Sequence, residues 1–269
     1  MDKTKRAERL AVMGQVLTAS PNRIFTLSYF CDLFSAAIST VSGDVAMLAE
    51  TYRTYSLGLV ETVTGAAGGV RYRPIRVGGS ARPFLEGLCE QLATPTRVLP
   101  GGYLYFSDIL ADPAYVSVMG CLIASEYYES HVDFVLTMET KGIPVALATA
   151  SALRVPLVIA RRVTKVYEGS AVNISYVSGS GMIETMSLSR RAVREGQHAL
   201  IVDDFSRGGG TERGMRALMQ EFNVTVEGVC FVLSLDDERS AAGDHRSLML
   251  MSPIQDGEPA HVRPADWIK

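Results

Sequence analysis

The sequence predicts an α/β protein in two unequal parts: a small helical unit ending in a β-hairpin, then a larger unit built on a mostly parallel sheet. Three observations carry that reading. Residues 4–52 hold three stretches at helical spacing, and GLVETVTGAAGGVRYRP then reads as strand, glycine turn, strand. Downstream, apolar strand-like runs alternate with helical stretches, the pattern of parallel strands joined by crossover helices. Residues 199–211, ALIVDDFSRGGGT, end a buried strand in two acids and a glycine loop and then open a helix.

At 269 residues, with 47% hydrophobic and 20% charged content, the chain is globular rather than disordered. It has no apolar run of 18 residues, so no membrane span is expected. MDKTKRAERL lacks the apolar core of a signal peptide. Cys31, Cys89, Cys121 and Cys230 are far apart with no CxxC, which fits buried thiols in a reducing cytoplasm. The four histidines are scattered, so no metal site is expected. The net charge of −3 hides an asymmetry: residues 1–76 carry nine Lys/Arg against six Asp/Glu, and the rest seventeen against twenty-three. A basic part on an acidic one suggests a polyanion partner for the first part alone.

In the first part, residues 4–18 place Ala7, Leu10, Met13 and Leu17 on one helical face, and Ser20-Pro21-Asn22 ends it. Residues 26–34 form a short second helix. Ser35 is positioned to cap a third, over about 36–52, with Ile38, Val41, Val45 and Leu48 inward and Ser39, Thr40, Ser42, Asp44 and Thr51 outward. Three helices and a hairpin make a winged helix, assigned here to residues 1–74. In that fold the third helix enters the major groove of double-stranded DNA, so Ser39, Thr40 and Ser42 are candidate base and phosphate contacts. Lys5, Arg6, Arg9, Arg71 and Arg73 are candidate phosphate contacts. The third helix offers no Arg or Lys for guanine readout, and a winged helix serving protein interaction has the same pattern.

PIRVGGSARP reads as a linker into the second part, residues 75–269. Helices are expected over about 82–93 and 113–130, with Gly101 and Gly102 turning the chain before Tyr103. Val132 to Met138 is a continuous apolar strand running into Glu139-Thr140-Lys141-Gly142, and a helix follows to about Leu153. Thr140, Lys141 and Gly142 suit pyrophosphate at a strand's C-terminal end. Val155 to Ala160 is a further strand, with Arg161, Arg162 and Lys165 just beyond it, and Arg161 and Lys165 are candidate contacts to the anionic effector. Residues 171–188 read as a hairpin turning at Ser178-Gly179-Ser180-Gly181.

The acid–glycine stretch carries the chemistry. Asp203 and Asp204 suit ribose hydroxyls, or a Mg²⁺ held through water. Phe205, Ser206, Arg207, Gly208, Gly209, Gly210 and Thr211 suit a phosphate, because glycines let backbone N–H groups close on it and the helix N-terminus adds positive character. The spacing is neither Walker A nor the dinucleotide fingerprint. The implied ligand is a sugar phosphate or nucleotide gripped at both ends.

These residues resemble the phosphoribosyl pyrophosphate (PRPP) motif of type I phosphoribosyltransferases. Gly208 replaces the first Thr or Ser of the usual ending, which removes one hydroxyl from the 5′-phosphate. With TVTGAAGGVRY (62–72), LPGGYLYFSDIL (99–110), TKGIP (140–144), KVYEGSAVNISYVSGS (165–180), ETMSL (184–188) and IVDDFSRGGGT (201–211), the chain to about residue 235 resembles the pur operon repressor family of Gram-positive bacteria. The tail after Leu235 departs from that pattern, and no base-recognition hood is evident in it. The resemblance implies a cytoplasmic, homodimeric, DNA-binding repressor of purine synthesis genes, without catalysis, whose DNA affinity PRPP weakens. It places Asp203 and Asp204 on ribose, Arg207 to Thr211 on the 5′-phosphate, and Thr140, Lys141 and Gly142 on pyrophosphate, with Mg²⁺ accompanying PRPP. It puts Tyr103 and Phe205 beside a purine base, a place where both also read as core aromatics, and the 171–188 hairpin as a mobile flap. Purine nucleotides competing at the same pocket are compatible with that reading, and an active purine phosphoribosyltransferase is the alternative.

Overall fold

The computed structural model describes residues 4–65, 68–75, 81–163, 169–178, 181–236, 244–254 and 258–268. The chain divides into two compact units, one of residues 1–80 with 152–154 and one of 81–151 with 155–269.

The first unit contains α1 (Arg6–Thr18), α2 (Leu27–Phe34), α3 (Ile38–Thr54) and the antiparallel strands β1 (Leu59–Val63) and β2 (Gly69–Arg73). The Thr26 hydroxyl accepts the Tyr29 N–H at 3.2 Å and starts α2. Ser35 does not cap α3. It lies in the left-handed region, with φ of 50°, and terminates α2. The two helices meet at 109°, the angle of a helix-turn-helix. Met13, Leu17, Phe30, Val41, Val45, Leu48, Val60 and Val70 form one core, with Phe25, Phe30 and Phe34 in contact along it.

Two inward assignments and one outward assignment change. Ala7 is exposed. Ile38 is 63% exposed, because it is the first residue of α3 and the buried face begins one turn later at Val41. Asp44, expected on the polar face, is 1% exposed, because Arg9 and Arg6 bind its two carboxylate oxygens at 2.6 and 3.0 Å.

The second unit runs α4 (Ala81–Leu92), β3 (Val98–Leu99), β4 (Tyr103–Leu104), α5 (Ser107–Ala111), α6 (Pro113–Ser125), β5 (Phe134–Met138), α7 (Ile143–Leu153), β6 (Leu157–Ala160), β7 (Ala171–Val177), β8 (Ile183–Ser189), β9 (His198–Ser206), α8 (Gly210–Glu221), β10 (Thr225–Leu235), β11 (Arg246–Met251) and β12 (Val262–Pro264). Six strands form one sheet in the order β12-β11-β10-β9-β5-β6, parallel except for β12. Every residue of β5 is buried, which is why it reads as an apolar run interrupted by Thr137 alone rather than as an alternating strand. The helix expected to residue 130 ends at Ser125. Among the described residues no single helix is long and apolar enough to cross a membrane.

The β7–β8 hairpin is anchored rather than free along its length. Val172, Tyr176, Met186 and Leu188 belong to the same buried cluster as Met215 and Leu218 of α8. Arg161 and Ser187 exchange backbone hydrogen bonds at 2.9 and 2.7 Å, which tie β8 to the end of β6. Exposure is concentrated near the tip, at Val177, Met182 and Ile183. Gly179 and Ser180 of the expected turn lie outside the described residues.

Candidate functional site

Sheet order places the site. From β5 the chain crosses to β6 on one side, whereas β9 and β10 lie on the other. The β5–β9 boundary is therefore the switch point, where loops leaving the strands' C-terminal ends diverge and open a crevice. The loop after β5 (139–142) and the end of β9 with its following loop (203–209) meet there. The Glu139–Thr140 peptide bond is cis.

Asp203 and Asp204 lie in the C-terminal half of β9, which extends to Ser206 rather than stopping at Val202. Asp203 is 5% exposed, and its Oδ1 accepts from Thr137 Oγ1 at 3.4 Å and from the Asp204 N–H at 3.0 Å. Burial, then the neighbouring Asp204 charge, pushes its carboxyl well above the usual carboxylate range. Burial also raises Asp204, against the attraction of Lys141. Gly142 is a requirement of this arrangement: a Cβ there would lie 1.9 Å from Asp203 Oδ1 and 2.6 Å from Thr137 Oγ1.

A cavity of about 470 Å³ is lined by Glu139, Thr140, Lys141, Arg162, Tyr176, Asp203, Asp204, Phe205 and Thr211 among others. The predicted acids, pyrophosphate loop and Thr211 thus converge. Arg161 does not join them: its guanidinium pairs with Glu139 Oε2 at 3.4 Å. Its neighbour Arg162 lines the cavity, bound to Glu184 of the hairpin at 2.9 Å, and the Tyr176 hydroxyl donates to the same carboxylate at 3.1 Å. Alternation along an extended segment sends adjacent arginines to opposite sides, which sequence spacing alone did not resolve. Lys165 lies outside the described residues.

The glycine loop turns tightly, with Gly208 and Gly209 at φ of 69° and 68° and Gly209 in the N-cap position of α8. Gly210 faces the hairpin, where an added Cβ would sit 2.3 Å from the Val177 carbonyl oxygen. Ser206 is turned inward, with its Oγ buried and without a hydrogen-bond partner among the described residues. Arg207 is exposed and turned away from the larger cavity, with its guanidinium 5.8 Å from the Tyr103 ring centroid.

That placement belongs to a second, adjoining compartment of about 220 Å³. Tyr103, Phe106 and Arg207 line it, together with Leu235, Met251, Pro253 and Ile254, and it shares Lys141, Asp204 and Phe205 with the larger cavity. Phe106 and Phe205 meet edge to face at 6.3 Å. The wall from residues 235 and 251–254 went unread because its residues are ordinary apolar ones brought in by β10 and β11.

In the first unit, Lys5, Ser39 and Ser42 are exposed and Thr40 half-buried. Arg6 is half-exposed while bound to Asp44. Arg9 and Arg73 are corrected to internal roles. Arg9 is 7% exposed on Asp44, and Arg73 is 5% exposed, bound to Glu61 at 3.2 Å and to Asn22 Oδ1 at 3.4 Å. Arg71 is largely buried and pairs with the same Glu61. Strand alternation and the two acids draw these guanidiniums inward.

The profile of the family described as "Bacterial purine repressor, N-terminal" matches residues 5–74, and that of "Phosphoribosyl transferase domain" matches residues 107–263. The chain is 42% identical over 255 residues to the purine biosynthesis transcriptional repressor PurR of Bacillus subtilis (strain 168), across 94% of this chain and 89% of that protein. It is 42% identical over 230 residues to the purine biosynthesis transcriptional activator PurR of Lactococcus lactis subsp. lactis (strain IL1403), across 85% of each. Adenine phosphoribosyltransferase from Saccharomyces cerevisiae superposes with a TM-score of 0.50 at 21% identity, covering 60% of this chain and 97% of that one, a likeness of fold alone.

Proposed function

The chain belongs to the PurR family of purine biosynthesis transcriptional regulators, and on that premise we propose that it is a cytoplasmic, non-catalytic repressor released from double-stranded DNA by PRPP. Residues 1–74 bind the control regions of purine synthesis genes; residues 75–269 bind the effector and form a homodimer. The observation that carries the effector is the convergence of Asp203 and Asp204 with Thr140, Lys141, Arg162 and Thr211 around one cavity. Ionised carboxylates accept the two ribose hydroxyls, cations and loop amides meet the phosphates, and Mg²⁺ rides on the ligand's pyrophosphate. PRPP weakens DNA binding by as much as DNA weakens PRPP binding, since the coupling is reciprocal.

A second ligand class is supported by the adjoining compartment. Tyr103 and Phe205 border a space of about 220 Å³ continuous with the phosphate cavity, which suits the base of a purine nucleotide that competes with PRPP.

The test is fluorescence anisotropy of a labelled purine-gene control region with the full chain, titrated with PRPP and Mg²⁺. Tight binding reversed by PRPP, with the reversal lost in the Asp203→Asn/Asp204→Asn variant and DNA affinity kept, is the expected result. Tightening by PRPP overturns release as the mechanism. PRPP consumed on addition of a purine base, without DNA binding, makes it an enzyme.

A further inference from the structure

The wall of the base-side compartment is a small hairpin with little to hold it. β3 and β4 are two residues each, joined through Pro100, Gly101 and Gly102, and paired as Val98 with Leu104 and Leu99 with Tyr103. Tyr103 at its turn is 59% exposed. A two-residue ladder cannot by itself offset the conformational entropy of ordering such a loop.

One side chain closes its base. Arg97 Nη1 donates to the Tyr105 carbonyl oxygen at 3.0 Å, and its backbone oxygen accepts the Tyr105 N–H at 2.8 Å. The same guanidinium meets Asp108 through two parallel bonds, Nη1 to Oδ1 and Nη2 to Oδ2, both 2.8 Å. The Arg97 side chain is 13% exposed, and Asp108 sits in the first turn of α5, where an acid is favoured by the helix N-terminus. The Asp108 carboxyl is held below its ordinary range, chiefly by its hydrogen bond to Arg97. Arg97 thus clamps the chain on both sides of the segment carrying Tyr103 and Phe106. Phe106 then packs on Phe205, one residue beyond the acid pair.

We propose that the bidentate Arg97–Asp108 pair is a positioning element that sets the Tyr103–Phe106 wall, and that it governs affinity for ligands bearing a purine base while leaving base-free sugar phosphates unaffected. Neither residue lines either cavity, so the pair acts through the wall it holds. The planar fork is essential, because a lysine there keeps the charge but makes only a single point contact with Asp108. This inference rests on reading the larger cavity as the sugar-phosphate site and the smaller as its base-side extension.

Isothermal titration calorimetry of the full chain with PRPP–Mg²⁺, GMP and AMP tests it. For Arg97→Lys and Asp108→Asn, nucleotide affinity is expected to fall by about 100-fold where the wall shifts by near 1 Å, since a displacement of that size carries a penalty of that order. PRPP affinity is expected to stay within about twofold, which also reports an intact fold. The reversed pair, Arg97→Asp with Asp108→Arg, is expected to recover part of the nucleotide affinity. Equal losses for both ligand classes, unchanged nucleotide binding in the variants, or a native protein that takes PRPP but no nucleotide would each overturn the proposal. A native protein that takes neither ligand removes the reading of the cavity itself, and the positioning role with it.

Discussion

Replacing Gly142 by Ala adds one carbon at the tightest point of the second unit. Its Cβ would stand 1.9 Å from Asp203 Oδ1, roughly 1.5 Å short of the 3.4 Å at which ordinary contact begins, and 2.6 Å from Thr137 Oγ1. Asp203 is buried, and its carboxylate is already engaged by Thr137 and the Asp204 N–H, so it can give way only by breaking those bonds and swinging into the ligand cavity. Either the carboxylate moves by more than 1 Å or the 139–142 loop lifts. In both cases the ribose acids and the pyrophosphate loop lose their relation. A displacement of that size costs about 100-fold in a function that depends on geometry, and overpacking a fitted interior costs about 1–3 kcal/mol of stability. Calorimetry with PRPP–Mg²⁺ measures the first and chemical denaturation the second. DNA binding by the first unit should persist but no longer respond to PRPP. A Gly142→Ala protein that binds PRPP within twofold of the native chain would refute the reasoning, because the acid pair would then not be what grips the ligand.

Further outcomes follow from the same structure. The raised Asp203 carboxyl keeps a proton above the usual carboxylate range, and accepting ribose hydroxyls requires its loss. PRPP binding should therefore release a proton and tighten as pH rises toward the raised value, by about tenfold per unit for one proton, then level off; titrations in two buffers of different ionisation enthalpy measure it, and no release contradicts it. The same raised carboxyl makes the unliganded fold lose stability, not gain it, as pH climbs through that range. Arg9→Met should lower the thermal midpoint and reduce DNA binding only as the fold is lost, whereas Lys5→Ala should flatten the salt slope by about 0.9 at unchanged midpoint; the reverse pattern would return Arg9 to the phosphate contacts. Gly210→Ala should push the hairpin off α8, because its Cβ meets the Val177 carbonyl oxygen at 2.3 Å, at a cost of about 1–3 kcal/mol by denaturant unfolding.

Local signals were legible where one residue type has one physical use. The apolar run of β5, the acids ending β9, the glycines opening α8 and the hairpin after α3 all fell where periodicity and turn chemistry put them. Charged side chains were far less legible. Arg9, Arg73, Arg71 and Arg161 read as cations for a polyanion, yet each is taken up by an acid on another element or on the facing hairpin strand: Asp44, Glu61 or Glu139. Asp44 read as outward for the same reason, since a 3.6-residue period cannot show that a guanidinium from another helix will neutralise an inward carboxylate. The hairpin's strands were likewise legible from alternation, which does not show what their apolar faces cover.

By itself, then, the sequence determined which segments become strands and helices, where the two units divide their chemistry, and which loop holds acids beside glycines. Those are properties of contiguous residues, set by backbone sterics, side-chain period and capping. Only the tertiary structure decided that Arg162 rather than Arg161 faces the cavity, that Arg207 lies by Tyr103, and that Leu235, Met251, Pro253 and Ile254 wall a second compartment. Those outcomes depend on the order β12-β11-β10-β9-β5-β6, which brings together residues more than a hundred positions apart. No local pattern encodes such an encounter, because its free energy arises from burial and charge pairing that exist only once the sheet has closed.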